Sequence, residues 1–288
     1  MTDHEAFTFY ITHYQETLFH NSAVMKKLNK EGIIENFIFE TFKIGFSDGS
    51  IAEKVKDMEE ARNILQRIGV LENGKDRFEN FLILPIFDEN KVPVNIVGYS
   101  LHPNKKQKLT WLKDTGIFNS RFLQKSEEVI LTDNPLHALL LINNEHPNAT
   151  FLYGNDQKYV TFFKTITYKR AVFTFEGKAR LFYDITKNGI STQRIPIDFE
   201  KVKQKDGKEY LTGLLEEQPS ENKGESSDTI QEIENGFLFK LPLLNYRVIG
   251  NFKEYSTNMK VNIKAYTEED IFVDSIDLYK NRDRQNFT

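Results

Sequence analysis

Short apolar runs alternate with helix-like segments between residues 129 and 197, and this alternation restricts the fold more than any other feature. The runs are rich in strand-forming residues with little polar alternation, as expected of strands buried on both faces. The order strand, helix, strand, helix predicts a parallel sheet covered by helices. Strands are predicted at 129–132, 150–153, 171–175 and 191–197, and helices at 135–143, 157–165 and 179–187.

The residues before this region predict short helices followed by an antiparallel hairpin. Apolar residues recur at helical spacing, interrupted near Asn21 and Gly32, so two or three helices are expected there. Later, two apolar runs flank the polar turn Asp88-Glu89-Asn90, which is typical of a hairpin. The predicted helices lie within 4–45 and at 57–69, the hairpin strands at 81–87 and 92–99, and a third strand near 108–112.

The last part of the chain predicts a linker and a small β-rich unit. Residues 216–228, EEQPSENKGESSD, are polar and contain Pro219 and Gly224, which is typical of a flexible linker. Four short strands are predicted after it, and the final residues LYKNRDRQNFT are predicted to begin a polar helix. The predicted strands lie at 236–241, 246–250, 258–265 and 271–275.

Composition excludes several kinds of site. The absence of cysteine among the 288 residues excludes disulfides, thiolate zinc sites and cysteine nucleophiles, so no zinc site is expected. No stretch approaches the roughly 18 apolar residues of a membrane helix, so no membrane partner is predicted and a cytoplasmic location is expected. The net charge of −4 is not that of a protein that binds nucleic acid by bulk electrostatics, and any such site must be a local patch.

Several short strings follow one another in a fixed order over about 120 residues. They are Phe42-Lys43-Ile44-Gly45-Phe46, Asp76-Arg77-Phe78, Leu84-Pro85-Ile86-Phe87-Asp88, Val97-Gly98-Tyr99 and Gly116-Ile117-Phe118. In this order they resemble strings of the catalytic core of bacterial, DnaG-type primases. The likeness continues through Val129-Ile130-Leu131-Thr132-Asp133, Tyr153-Gly154-Asn155, Phe175-Glu176-Gly177-Lys178 and Lys205-Asp206-Gly207-Lys208-Glu209-Tyr210-Leu211, which are similar to the TOPRIM domain of those primases.

The resemblance covers about residues 1 to 213 and implies an α/β fold class. The expected order is an α+β N-terminal subdomain at 1–124 and a TOPRIM-like domain at 125–215, whose parallel sheet has helices on both faces. A flexible linker at 216–235 and a small, mostly β C-terminal domain at 236–288 complete the prediction.

The resemblance also implies an acidic site for nucleotidyl transfer. Asp133 and Glu176 stand at catalytic positions, and Asp133, Glu176 and Asp206 are the implied metal ligands. Mg²⁺ prefers carboxylate oxygens, and the three acids are predicted to follow successive strands, where open α/β sheets gather ligands. The alternative interpretation is that each acid is a solvated loop carboxylate.

One replacement weakens the implied metal site. Lys178 stands where the family has its second metal-binding aspartate. An ammonium about 4 Å from a metal position opposes the cation by roughly 4 kcal/mol per unit charge at an effective dielectric near 20. His137 likewise replaces a family aspartate. At most weak Mg²⁺ binding is therefore expected.

The candidate nucleic-acid contacts are basic or partly basic residues. They are Arg77, His102, Lys105, Lys106, Lys108 and Lys178. Where the primases carry arginines or lysines, this chain has Glu79 and Phe81. Fewer charged hydrogen bonds to phosphate are therefore expected. A run of lysines such as this one is more often a solvated loop.

Three interpretations of function remain open on the sequence, and whether the chain is an enzyme is undecided among them. The first is a primase-like protein of replication, a mobile element or defence that binds nucleic acid, such as single-stranded DNA, or a protein, such as a replicative helicase. The second is an active Mg²⁺-dependent primase making RNA primers on single-stranded DNA, in which Asp184 or Asp198 replaces lost ligands. The third is an unrelated α/β protein.

Overall fold

The computed structural model divides the chain into two compact units, Met1–Glu216 and Glu217–Thr288. Within the described residues, no helix is long and apolar enough to cross a membrane. The division predicted between residues 124 and 125 stays a prediction. The structure describes residues 1–102, 107–166, 168–216, 231–233, 236–241, 246–254, 258–267 and 272–281.

The first unit begins with three helices, as the sequence predicts. The side chain of Thr2 accepts a hydrogen bond from the Glu5 N–H and that of Glu5 accepts one from the Thr2 N–H, which is a capping box. Asn21 then interrupts the helical region and caps the second helix through its side chain. The helices are α1 (Asp3–His20), α2 (Ser22–Lys30) and α3 (Asn36–Thr41).

An antiparallel sheet follows, and the predicted hairpin is its centre. Strands β4 (Phe81–Phe87) and β5 (Pro93–Ser100) pair through the predicted turn, and β6 (Leu109–Trp111) extends the sheet. The other edge is β1 (Gly45–Phe46), giving the order β1-β4-β5-β6. Helices α4 (Ile51–Lys54) and α5 (Glu59–Arg67) and the small pair β2 (Leu71–Glu72) and β3 (Lys75–Asp76) lie between β1 and β4 in the chain.

The alternating segments between residues 129 and 197 form the predicted parallel sheet. Its order is β10-β9-β7-β8, and every neighbouring pair is parallel. The last strand ends at Arg194, three residues before its predicted end. The strands are β7 (Glu128–Thr132), β8 (Ala149–Phe151), β9 (Arg170–Phe173) and β10 (Ser191–Arg194), and the helices are α6 (Ser120–Leu123), α7 (Pro135–Asn143), α8 (Gln157–Lys164), α9 (Ala179–Lys187), α10 (Phe199–Val202) and α11 (Gly207–Glu216).

One apolar cluster joins the two sheets of the first unit. It contains Leu84 and Val97 of the antiparallel sheet together with Ile130 and Val172 of the parallel sheet, all fully buried. Phe118 precedes α6 and packs against Phe151 with ring centroids 5.0 Å apart. Burying both sheets in one core fixes the position of the parallel strand ends against the hairpin.

A second cluster, around α1 and α5, encloses a buried carboxylate. Asp76 is 6% exposed and accepts hydrogen bonds from the Tyr10 hydroxyl at 2.9 Å and the Ser47 hydroxyl at 3.1 Å. The Tyr14 hydroxyl donates as well, and so does the Phe78 N–H at 2.7 Å. The carboxylate therefore ties α1 and the residue after β1 to the turn that carries Arg77.

Asp76 should make stability depend on pH. Burial raises the pKa of Asp76 above its ordinary value of 3.8, against the opposing effect of the hydrogen bonds it accepts. The folded state therefore holds the proton more tightly than the unfolded chain, and this contribution to stability is present below pH 3.8 and is lost as pH rises through the raised pKa. We expect the free energy of unfolding of the wild type, minus that of Asp76→Asn, to fall with rising pH and then level off. Urea unfolding at a series of pH values measures it, and a flat or rising difference would contradict the assignment.

The second unit is an antiparallel five-stranded sheet in the order β11-β12-β13-β14-β15. Residues 217–230, most of the predicted linker, lie outside the described residues, and β11 occupies part of the remainder. The polar helix predicted from Leu278 is wrong as far as Asn281, because the strand β15 continues to that residue. The strands are β11 (Gln231–Ile233), β12 (Gly236–Leu241), β13 (Tyr246–Glu254), β14 (Asn258–Thr267) and β15 (Phe272–Asn281).

Candidate functional site

Asp133 lies at the carboxyl end of β7, at the edge of an open groove. It is exposed and directly follows Thr132, the last residue of the strand. The groove has a volume of about 540 Å³ and is also lined by Tyr99, Lys108, Trp111 and His137. The structure thus brings the predicted acid and one of the predicted basic residues to the same groove.

His137 lies on α7 and packs as an aromatic residue. Its ring stacks on that of Phe199, with centroids 3.7 Å apart and planes 9° apart. Burial lowers the pKa of His137 below its ordinary value of 6.5, although the nearby Asp133 carboxylate acts in the opposite direction. Packing, the more frequent role for a lone histidine on a helix, is the role that the structure gives it.

Glu176 lies three residues beyond β9 and is paired with an arginine. Its Oε2 is 3.4 Å from Nη1 of Arg194, the last residue of β10. The glutamate side chain is 85% exposed and the arginine side chain 17% exposed. The arginine also lies over the ring of Phe182, 4.9 Å from its centroid. The partly buried Arg194 guanidinium therefore pairs with Glu176, the carboxylate to which the resemblance assigns metal binding.

Lys178 binds a neighbouring acid. Its Nζ is 2.8 Å from Oδ1 of Asp156, the residue before α8, and its backbone has a left-handed φ of 53°. Asp184 of α9 lies nearby, lining the same pocket of about 450 Å³. The ammonium thus pairs with an acid in the loop between β8 and α8, and its position at a metal site stays a prediction.

The Lys178 pocket is held in place by a further ion pair. Asp114 accepts a hydrogen bond from the Asn155 N–H at 2.9 Å and from Lys158 Nζ at 3.0 Å. Lys158 is 13% exposed and covers the ring of Tyr153, 3.1 Å from its centroid. These contacts fix the loop between β8 and α8, and with it the position of Asp156.

The third predicted ligand lies elsewhere in the fold. Asp206 is exposed in the turn between α10 and α11, where its carbonyl accepts the Tyr210 N–H at 3.0 Å. The expectation that it follows a strand directly is wrong, because β10 and α10 come before the turn. Asp198, a suggested substitute, caps α10 by accepting the Glu200 N–H at 3.1 Å.

The acids do not gather into a metal centre. Across residues 1–102, 107–166 and 168–216, and in the described strands of the second unit, no group of three or more histidines and acids is placed to hold a metal ion. Asp133 and Glu176 line different pockets, and the nearest acid to Lys178 is neutralised by it. Mg²⁺ sites need convergent oxygen ligands. In the described residues, Asp133, Glu176 and Asp206 are therefore not brought together as one three-carboxylate set.

Of the predicted basic contacts, Lys108 lines the groove, and Arg77 contacts β6 through a backbone carbonyl. Arg77 is exposed, donates from Nη2 to the Trp111 carbonyl at 3.1 Å, and lies over the Phe78 ring at 6.0 Å. His102 is exposed, and its backbone N–H donates to the Ser100 hydroxyl. Lys108 is exposed, and its carbonyl accepts the Ser100 N–H at 2.8 Å. Lys105 and Lys106 lie outside the described residues.

Several residues that line these pockets were not among the predicted site residues. Tyr99 and Asn134 line the groove. Asp156 pairs with Lys178, and Arg194 pairs with Glu176. The Asn134-Pro135 pair is typical of a helix start, and Asn134 does accept the Leu136 N–H at 3.0 Å. The ion pairs could have been suspected only from the rule that the loops after parallel strands meet at one edge of the sheet.

No protein-family profile matches the chain, and no curated protein matches its sequence. Solved structures do match. The zinc-binding and RNA polymerase domains of the Aquifex aeolicus primase align with a TM-score of 0.62 and 16% identity over 74% of this chain. The fold is that of a DnaG-type primase catalytic core.

Two further structures give the same result. The E. coli primase catalytic core aligns with a TM-score of 0.59 and 17% identity, over 75% of this chain and 80% of that one. A DnaG primase catalytic domain bound to single-stranded DNA aligns with a TM-score of 0.58 and 14% identity, over 74% and 78%. The chain spans only 60% of the Aquifex aeolicus primase structure. At these identities the comparison establishes the fold, and the predicted α/β fold class is confirmed.

Proposed function

We propose that this chain is a primase-like protein that binds nucleic acid, single-stranded DNA in particular, and has lost or greatly weakened nucleotidyl transfer. A replicative helicase or another replication or defence protein is the corresponding class of protein partner. Weak or absent Mg²⁺ binding and a TOPRIM ancestry for the parallel sheet belong to the same proposal.

The observation that carries the proposal is the ion pair between Lys178 and Asp156. Phosphoryl transfer relies on metal ions that neutralise the developing charge on the phosphate. Here the lysine ammonium neutralises an acid at the strand ends, and Arg194 does the same to Glu176. In this proposal, both cations act against metal binding by carboxylates near the implied site. The ammonium repels a metal ion that approaches the same acids.

Nucleic-acid binding is supported by the groove beside β6. Arg77 and Lys108 provide exposed cations near Trp111, whose ring is large enough to stack on a base. Among the aligned structures, DnaG-type primase domains have been solved with single-stranded DNA and with double-stranded DNA. For this chain, DNA binding is part of the proposal.

The purified chain should make little or no primer on a single-stranded template with Mg²⁺ or Mn²⁺, because the acids lack a free, convergent arrangement. Incorporation of labelled ribonucleotides, compared with an active DnaG primase under the same conditions, measures this.

Two variants make the test decisive. Glu176→Ala removes the paired candidate acid, and Glu127→Ala removes an exposed glutamate that pairs with Lys169 before β7. Strong incorporation that disappears in Glu176→Ala and persists in Glu127→Ala would overturn the proposal in favour of an active primase.

A further inference from the structure

The strand register of the second unit separates its residues into two unlike faces. Residues directly opposite one another in an antiparallel pair share a face, and residues alternate between faces along a strand. Applied to β12 through β15, this rule places most apolar residues on one face. That face contains Phe237, Phe239, Leu241, Tyr246, Val248, Phe252, Met259, Val261, Ile263, Ala265, Ile276 and Leu278.

The opposite face, here called the basic face, carries the apolar residues Leu238, Ile249 and Phe272 but most of the charge. Its charged residues are five cations and one acid: Lys240, Arg247, Lys253, Lys260, Lys264 and Asp277. The apolar face carries Glu254, Asp274 and Lys280 over the same strands. In a chain with a net charge of −4, a face with four more cations than acids is a local concentration of positive charge.

The cations of the basic face lie in rows with tyrosines. One row runs across three strands as Lys240, Arg247 and Tyr266. A second row runs as Lys253, Lys260 and Tyr279. On β13 the rows are six positions apart, at Arg247 and Lys253, or about 20 Å at roughly 3.3 Å per residue. Lys264, Asn251 and Asn262 occupy register positions between them.

We propose that the basic face binds single-stranded nucleic acid. Antiparallel sheets commonly pack an apolar face and leave the opposite face solvated, so the basic face is the one that we assign to a ligand. Repeated cations suit a polyanion, and aromatic residues on a sheet surface stack unpaired bases, which a duplex does not offer. The proposal deepens the proposed function by adding a contact surface outside the primase-like unit, and it rests on the register alone.

The test is single-strand binding by the full chain, measured by fluorescence anisotropy with a labelled oligothymidylate over a range of salt concentrations. Each lost phosphate contact lowers the slope of log affinity against log salt by about 0.7 for single strands, so Arg247→Gln with Lys260→Gln should lower it by about 1.4. Tyr279→Leu should weaken binding about fivefold or more. Lys280→Gln, the matched control on the opposite face, should change neither quantity.

The outcomes separate this inference from the proposed function. If the Arg247 and Lys260 double variant loses affinity while Arg77→Gln does not, the basic face is supported. If only Arg77→Gln loses affinity, the basic face is refuted and the proposed function stands, whereas a wild-type chain that binds no oligonucleotide refutes both. Equal binding of a duplex, or displacement by polyglutamate of matched charge, would also refute a single-strand site. Circular dichroism of each variant checks that the sheet is retained.

Discussion

Replacement of Asp76 by alanine is expected to lower the free energy of unfolding by about 3 kcal/mol, because it leaves buried donors without an acceptor. The Tyr10, Tyr14 and Ser47 hydroxyls and the Phe78 N–H all donate to this carboxylate. An unsatisfied buried donor costs about 1 to 3 kcal/mol, and water entering the space recovers part of the loss. Urea unfolding followed by circular dichroism measures the change.

The matched control is Asp57→Ala, which removes an exposed carboxylate close to the start of α5. It should change the unfolding free energy by less than about 0.5 kcal/mol, as surface substitutions usually do. If the two variants were equally stable, Asp76 would not organise the turn that carries Arg77. The position of that arginine would then depend on its hydrogen bond to the Trp111 carbonyl and its contact with the Phe78 ring.

Elements with a strong hydrophobic period were predictable from sequence. The helix α7 and the strand β7 were located within one residue, because each is a mostly apolar segment with a turn signal beside it. The two-residue strands β1, β2 and β3 were missed, because a strand of two residues has no period to detect. The helix predicted from Leu278 was wrong because the segment is too polar to show a clear period of two. Its pairing with β14 shows that Leu278 to Asn281 form a strand.

The candidate site was only partly predictable for a different reason. Motif order placed Asp133 and Glu176 just after strands, as the structure has them. It did not reveal that Lys178 pairs with Asp156, 22 residues earlier, or that Arg194 pairs with Glu176. Such pairs depend on which loops meet at the sheet edge, and this follows from the strand order β10-β9-β7-β8 rather than from local sequence. Asp206 was misplaced because α10 was not predicted.

Gly207, the first residue of α11, closes the turn after α10 and leaves no room for a side chain. A Cβ at this position would lie 2.6 Å from the carbonyl carbon of Val202 and closer still to its oxygen. Val202 is 1% exposed and belongs to the main core, so the backbone it presents cannot move away without disturbing packing. Gly207→Ala should therefore lower the free energy of unfolding by about 1 to 3 kcal/mol.

Gly213 in the same helix provides the matched control, because a Cβ there meets no atom within 4 Å. Gly213→Ala should raise the unfolding free energy by about 0.5 to 1 kcal/mol, since alanine favours the helix over the unfolded chain. Opposite signs for one substitution at two glycines of α11 distinguish close packing from helix propensity. Two stabilising results would mean that α11 does not approach α10 as closely as described. In that case the stacking of His137 on Phe199, which α10 carries, would also be in question.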